Sequence, residues 1–152
     1  MVTQATFRSA MKSKVLLVDD DLSILESLGR ALRSEYYEVL VACTGREALE
    51  LLCDREIDLV LLDLKLPDIH GWDTFDQMMA LNPFLPIIII TAEPNQQPMA
   101  TKVGAASILQ KPLALPSLLE LMKRALSETV EVRRRRIANH GTLPLPSPLV
   151  TP

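Results

Sequence analysis

From Lys14 onward the chain alternates short apolar runs with stretches whose apolar residues recur every three or four positions. The two rhythms belong to different elements. A strand covered on both faces reads as an unbroken apolar run, whereas a helix lying on a sheet shows a stripe at the 3.6-residue period. Val15–Val18 is the first such run, and Leu22, Leu25, Leu28, Ala31 and Leu32 then mark a helix over Leu22–Arg33. Val39–Ala42 is the second run. Thr44 and Glu47 follow at the spacing of a capping box, opening a helix that carries Ala48, Leu49, Leu51 and Leu52. Ile57–Leu62, apolar except for Asp58, predicts a third strand closed by Asp63.

After a loop containing Pro67 and Gly71, the pattern predicts a helix over Trp72–Leu81, a strand over Pro86–Ile90 and a fifth strand over Ala106–Leu109. Pro94 and Pro98 confine any helix between these strands to Met99–Val103, because an internal proline removes a hydrogen bond and clashes with the preceding turn. A last helix is expected from Pro116, a tolerated first-turn position, to Arg135. Leu115, Leu118, Met122, Ala125, Thr129 and Val132 form its stripe, read as a core-facing surface although it outlasts the length that a small sheet covers. Helices interleaved with strands imply an α/β fold: a doubly wound five-stranded parallel sheet with helices on both faces.

The length of 152 residues suits one such domain. We divide the chain into a loose leader over 1–12, the folded domain over 13–126, and a helix extension with a Pro-rich flexible tail over 127–152, where four prolines fall between Thr142 and Pro152. Sixteen basic against nineteen acidic residues leave a formal charge of −3, which supplies no overall field for nucleic acid. Arg133–Arg136 is accordingly read as a solvated helix end. No stretch reaches the ~20 apolar residues needed to cross a bilayer, and the start of the chain lacks a secretory pattern. Cys43 and Cys53 are not spaced as a redox or zinc motif and are read as small core residues in a reducing cytoplasm. His70 and His140 have no ligand partners at useful spacing and are read as solvated.

Chemistry in sheets of this kind gathers at the carboxyl ends of the strands. Asp19, Asp20 and Asp21 close the first strand, Asp63 the third, Thr91 the fourth and Lys111 the fifth. Carboxylates brought together repel one another, and a hard cation such as Mg²⁺ is the usual compensation. A carboxylate can also act as a nucleophile and carry a phosphoryl group, whose oxygens then want a hydroxyl and an ammonium. Thr91 and Lys111 supply these. Asp21 is better placed to cap the first helix.

With VLLVDDD at Val15–Asp21, LVLLDLKLPDIHGW at Leu59–Trp72, IIIITAE at Ile87–Glu93 and ILQKP at Ile108–Pro112, the stretch from Lys14 to Ala125 resembles a receiver domain of two-component response regulators. The resemblance implies the flavodoxin-like strand order 2-1-3-4-5. It also implies Asp63 as phosphoacceptor, Mg²⁺ held by Asp19, Asp20, Asp63 and the backbone carbonyl of Lys65, and phosphoryl contacts from Thr91 and Lys111. The expected partner is a histidine kinase or phosphotransfer protein in the cytoplasm. The protein would catalyse its own phosphorylation and dephosphorylation without being a turnover enzyme. It would signal through a downstream protein, a homodimer or an output domain of a larger regulator of which this is a fragment. A haloacid-dehalogenase-like phosphatase is the competing reading, but Lys65 stands where that chemistry needs a second aspartate. Two features depart from the family pattern: Ile108 replaces the usual aromatic, and Pro94 and Pro98 make the fourth helix atypical. Lys65 and Glu93, of opposite charge, are expected to pair across the site.

Overall fold

A computed structural model describes residues 12–139. The expectations for most of the leader, for His140 and for the Pro-rich tail lie outside the described residues. Five strands, β1 (Lys14–Val18), β2 (Glu38–Ala42), β3 (Leu59–Asp63), β4 (Ile87–Thr91) and β5 (Ser107–Gln110), form one parallel sheet in the order β2-β1-β3-β4-β5. Among the described residues six helices accompany them: α1 (Leu22–Ser34), α2 (Gly45–Asp54), α3 (Gly71–Leu81), α4 (Gln97–Val103), α5 (Leu115–Ser127) and α6 (Val130–Asn139). The fold is the doubly wound α/β sheet expected. Its register, with Leu17 beside Leu61 and Leu61 beside Ile88, sets the ends of β1, β3 and β4 level.

Successive side chains of a strand point to opposite faces, so the apolar runs feed two cores. Leu16, Val18, Val60, Leu62, Ile87 and Ile89 pack with Ala48 of α2, Phe75 and Met78 of α3 and Ala100 of α4. Val15, Leu17, Leu59, Leu61, Ile88 and Ile90 pack with Leu25 and Leu32 of α1 and with Leu118, Met122 and Ala125 of α5. Every residue of β3 and β4 is buried, whereas the edge strands β2 and β5 are partly open. The helices start where caps are available. Asp21 accepts from Ser23 N and Ile24 N, Thr44 from Glu47 N, and His70 Nδ1 from Trp72 N, so the exposed His70 is a cap besides being solvated. Pro98 lies in the first turn of α4, where no backbone N–H is needed, so that helix begins two residues before Met99.

The expected continuous last helix is broken. Glu128 is extended, with φ −64° and ψ 141°, and ends α5. Thr129 Oγ1 then accepts from Val132 N, and α6 packs at the amino ends of the strands, where Arg133 meets the segment before β4. Arg133 donates to Phe84 O at 3.2 Å and to Ala125 O at 3.0 Å, Arg136 pairs with both Glu128 oxygens, and Ile137 is buried against the core. Arg133 and Arg136 are therefore anchors, while Arg134 and Arg135 stay exposed. Val132 belongs to no buried stripe and is 47% exposed. Cys43 is half-buried at the margin of the second core, as a small packing residue, whereas Cys53 is exposed at the end of α2 and is not a core residue.

Candidate functional site

The level ends of β1 and β3 bring Asp19 and Asp63 side by side, 2% and 4% exposed. Each is held from behind by backbone: Asp19 Oδ1 accepts from Asp21 N at 2.9 Å, and Asp63 Oδ1 from Lys65 N at 3.2 Å. Their other oxygens face one ammonium. Lys111 Nζ, one residue beyond β5, lies 2.8 Å from Asp19 Oδ2 and 3.1 Å from Asp63 Oδ2. Lys111 is steadied by its own backbone, whose N–H donates to Thr91 O at 2.8 Å.

Burial pushes Asp63 above the usual carboxylate range, and the negative charge of Asp19 adds to it; the Lys65 N–H and the Lys111 ammonium oppose the rise without cancelling it. Burial works against charge on Lys111 too, but the hydrogen bond to Asp19 and the charges of both aspartates raise it above the ordinary lysine value. Two carboxylates thus share a single positive charge, and the site is short of cations.

Asp20 is exposed, yet one carboxylate oxygen each from Asp19, Asp20 and Asp63 lies within 4.8 Å of the others. An all-oxygen set with excess negative charge, already drawing a lysine ammonium between its members, fits a hard divalent cation such as Mg²⁺. Thr91 is 1% exposed at the end of β4, and its Oγ1 accepts from Glu93 N at 3.0 Å. The hydroxyl proton is left to donate elsewhere. Of the residues singled out in the sequence, Asp19, Asp20, Asp63 and Lys111 come together directly, Thr91 closes the neighbouring strand, and Asp21 is the cap expected of it. Lys65 and Glu93 are both exposed and form no ion pair among the described residues.

Two residues that support this site escaped the sequence reading. Asp68 receives N–H donors from Gly45 and Arg46 at 2.8 and 3.0 Å and from Ile69 at 2.8 Å, fastening the β3–α3 loop to the start of α2. A proline-aspartate pair signals a turn, but the partner 23 residues upstream carries no sequence mark. Gln96 is the other; its Oε1 accepts from Trp72 Nε1 at 2.9 Å.

A family model described as the response regulator receiver domain matches residues 15–123. The transcriptional regulatory protein ZraR of Escherichia coli O157:H7 is 38% identical over 117 residues, which cover 76% of this chain and 26% of that relative. The chain thus spans about a quarter of that relative's length. Among solved structures, a CheY-like response regulator receiver domain from Methanospirillum hungatei superposes with a TM-score of 0.71 at 29% identity, covering 82% of this chain and 98% of the other. TrrA of Thermotoga maritima, solved in complex with Mg²⁺-BeF, superposes with a TM-score of 0.70 at 30% identity, covering 75% and 99%.

Proposed function

Because the chain belongs to the response regulator receiver domain family, we propose that Asp63 is the residue on which it is phosphorylated. It is a receiver domain of two-component signalling. The observation that carries the reading is the pair of buried carboxylates sharing the Lys111 ammonium at the level ends of β1 and β3.

Asp63 is the carboxylate suited to attack. Its Oδ1 is held by Lys65 N, while Oδ2 meets only the Lys111 ammonium, the group that would receive the phosphoryl oxygens. A phosphohistidine of a partner kinase or phosphotransfer protein is the donor: a carboxylate oxygen bonds to phosphorus as the phosphorus–nitrogen bond breaks, and the imidazole leaves. Mg²⁺ held by Asp19, Asp20, Asp63 and the Lys65 carbonyl would neutralise charge on the transferring group. Lys111 then offers its ammonium, and Thr91 its hydroxyl proton, to the phosphoryl oxygens. The phosphate adds negative charge to a site already short of cations, and that change biases the conformation of the loops after β3 and β4.

We take the receiver unit as residues 13–126, with α6 packed back onto it. The protein modifies itself and turns over no substrate. Among the described residues no helix is long and apolar enough to cross a membrane, and a cytoplasmic place beside a kinase is part of the proposal. Output lies with a downstream protein, a second copy or a domain of a longer regulator, as ZraR's greater length suggests. Intact mass after incubation with acetyl phosphate and Mg²⁺ tests the reading. One phosphate adduct is expected on the wild type and none on Asp63→Asn; adducts on both would place the acceptor elsewhere.

A further inference from the structure

Trp72 is the only tryptophan of the chain, and its indole joins two loops that leave the site on different strands. It stands at the start of α3. The loop behind it is closed on itself, since Gly71 N donates to Leu64 O at 2.9 Å, and Leu64 follows Asp63 directly. Trp72 is therefore held at a fixed distance from the acceptor, and its ring packs edge-on against the fully buried Phe75 with centroids 5.7 Å apart.

Gln96, on the other side of the bond, immediately precedes α4. Between it and Thr91 the chain has little slack: Thr91 Oγ1 holds Glu93 N, Pro94 fixes its own φ, and Asn95 is left-handed at φ 63°. A Thr91 Oγ1 that moved toward a phosphoryl group on Asp63 would leave Glu93 N, and Pro94 and Asn95 are the residues through which that movement would reach Gln96. Ile108, half-buried on β5, carries no polar group with which to register such a change.

We propose that Trp72 and Gln96 form a latch coupling the phosphorylation state of Asp63 to α4: their hydrogen bond holds α4 in the unphosphorylated arrangement and is released when Thr91 engages the phosphoryl group. The inference rests on the assignment of Asp63 as acceptor. Gln96 acts here as a positioning residue, since it reaches the site only through Trp72 and the β4–α4 loop.

Parallel samples of the full chain, with acetyl phosphate and Mg²⁺ or with Mg²⁺ alone, give adduct by intact mass and indole emission by fluorescence. Wild type is expected to gain the adduct and change its emission. Gln96→Met, similar in length but only a weak acceptor, should form the adduct equally while most of the emission change is lost, because its unphosphorylated state already lacks the indole hydrogen bond. Gln96→Glu, which keeps an acceptor oxygen at the same reach, should restore it. An adduct on wild type without an emission change, or a full change in Gln96→Met, overturns the latch alone. Absence of the adduct from wild type overturns the acceptor assignment and the latch with it.

Discussion

Replacing Lys111 by methionine removes the one ammonium between two buried carboxylates and leaves the hydrocarbon part of the side chain in place. Carboxylate oxygens within 4.8 Å repel by about 3.5 kcal/mol at an effective dielectric of ~20. Contacts of 2.8 and 3.1 Å to the ammonium would contribute about 6 and about 5 kcal/mol of attraction on the same scale. The Lys111 side chain is 18% exposed, so water moderates both figures; breaking a buried pair by removing one partner typically costs 3–5 kcal/mol, and a loss of about 3 kcal/mol is expected. Urea unfolding would register that as a midpoint lowered by roughly 1–2 M. Mg²⁺ should recover more stability in the variant than in wild type, because the ion no longer competes with an ammonium for the same oxygens. The pH dependence has a definite sign. Burial and Asp19 already raise Asp63, and losing Lys111 raises it further. A carboxylate whose folded pKa is raised costs stability above that pKa and costs nothing below the unfolded value of about 4, so the deficit should narrow as pH falls from neutrality. A deficit below about 1 kcal/mol, or an equal Mg²⁺ gain in both proteins, would refute the shared-cation account.

A Cβ on Gly71 would overlap Leu64 Cα and stand 2.5 Å from its carbonyl oxygen, so Gly71→Ala should lose about 3 kcal/mol or more, measured by urea unfolding, because backbone cannot withdraw as a side chain can. Ile137→Asp places a charge where Ile137 is 4% exposed; about 1–2 kcal/mol should be lost as α6 undocks, with faster amide exchange over 130–139 and not over β3. Val132→Asp on the same helix should be close to neutral by both measurements. Asp68→Ala should cost about 1 kcal/mol at pH 7, discounted for exposure. Slight burial nudges Asp68 upward, but the N–H groups of Arg46, Gly45 and Ile69 outweigh it and hold its pKa below the ordinary value. Its contribution is present above about pH 4 and lost as pH falls through the lowered pKa, so wild type and variant should converge in acid.

The sheet was legible because parallel strands buried on both faces must be apolar throughout, and Leu59–Leu62 and Ile87–Ile90 meet that demand with no polar interruption. The site was legible for a related reason: the first polar residue after such a run, Asp19, Asp63 or Thr91, has to lie at the strand's carboxyl end. The break between α5 and α6 was not, since Glu128 and Thr129 interrupt a helical stripe with neither glycine nor proline. What decides it is distant. Arg133 reaches two backbone carbonyls, one 49 residues upstream at Phe84, and Arg136 reaches back to Glu128. Asp68 with Gly45, and Trp72 with Gln96, were hidden in the same way, because pairing between loops of different strands leaves no period in the sequence. Cys53 misled because its residue type is usually buried, while its place at the end of α2 faces water.

The elbow at Glu128 also has a mechanical meaning. A helix running straight out of α5 would act as a shaft, passing any twist or slide of α5 directly to whatever was attached to it. With α6 clamped by Arg133 to the foot of β4, the shaft is cut short and its end is bolted to the frame. Anything carried beyond residue 139 starts from a platform that turns only when the whole sheet turns, so local movement after β3 and β4 has to be read from the sides of the domain and not along its last helix.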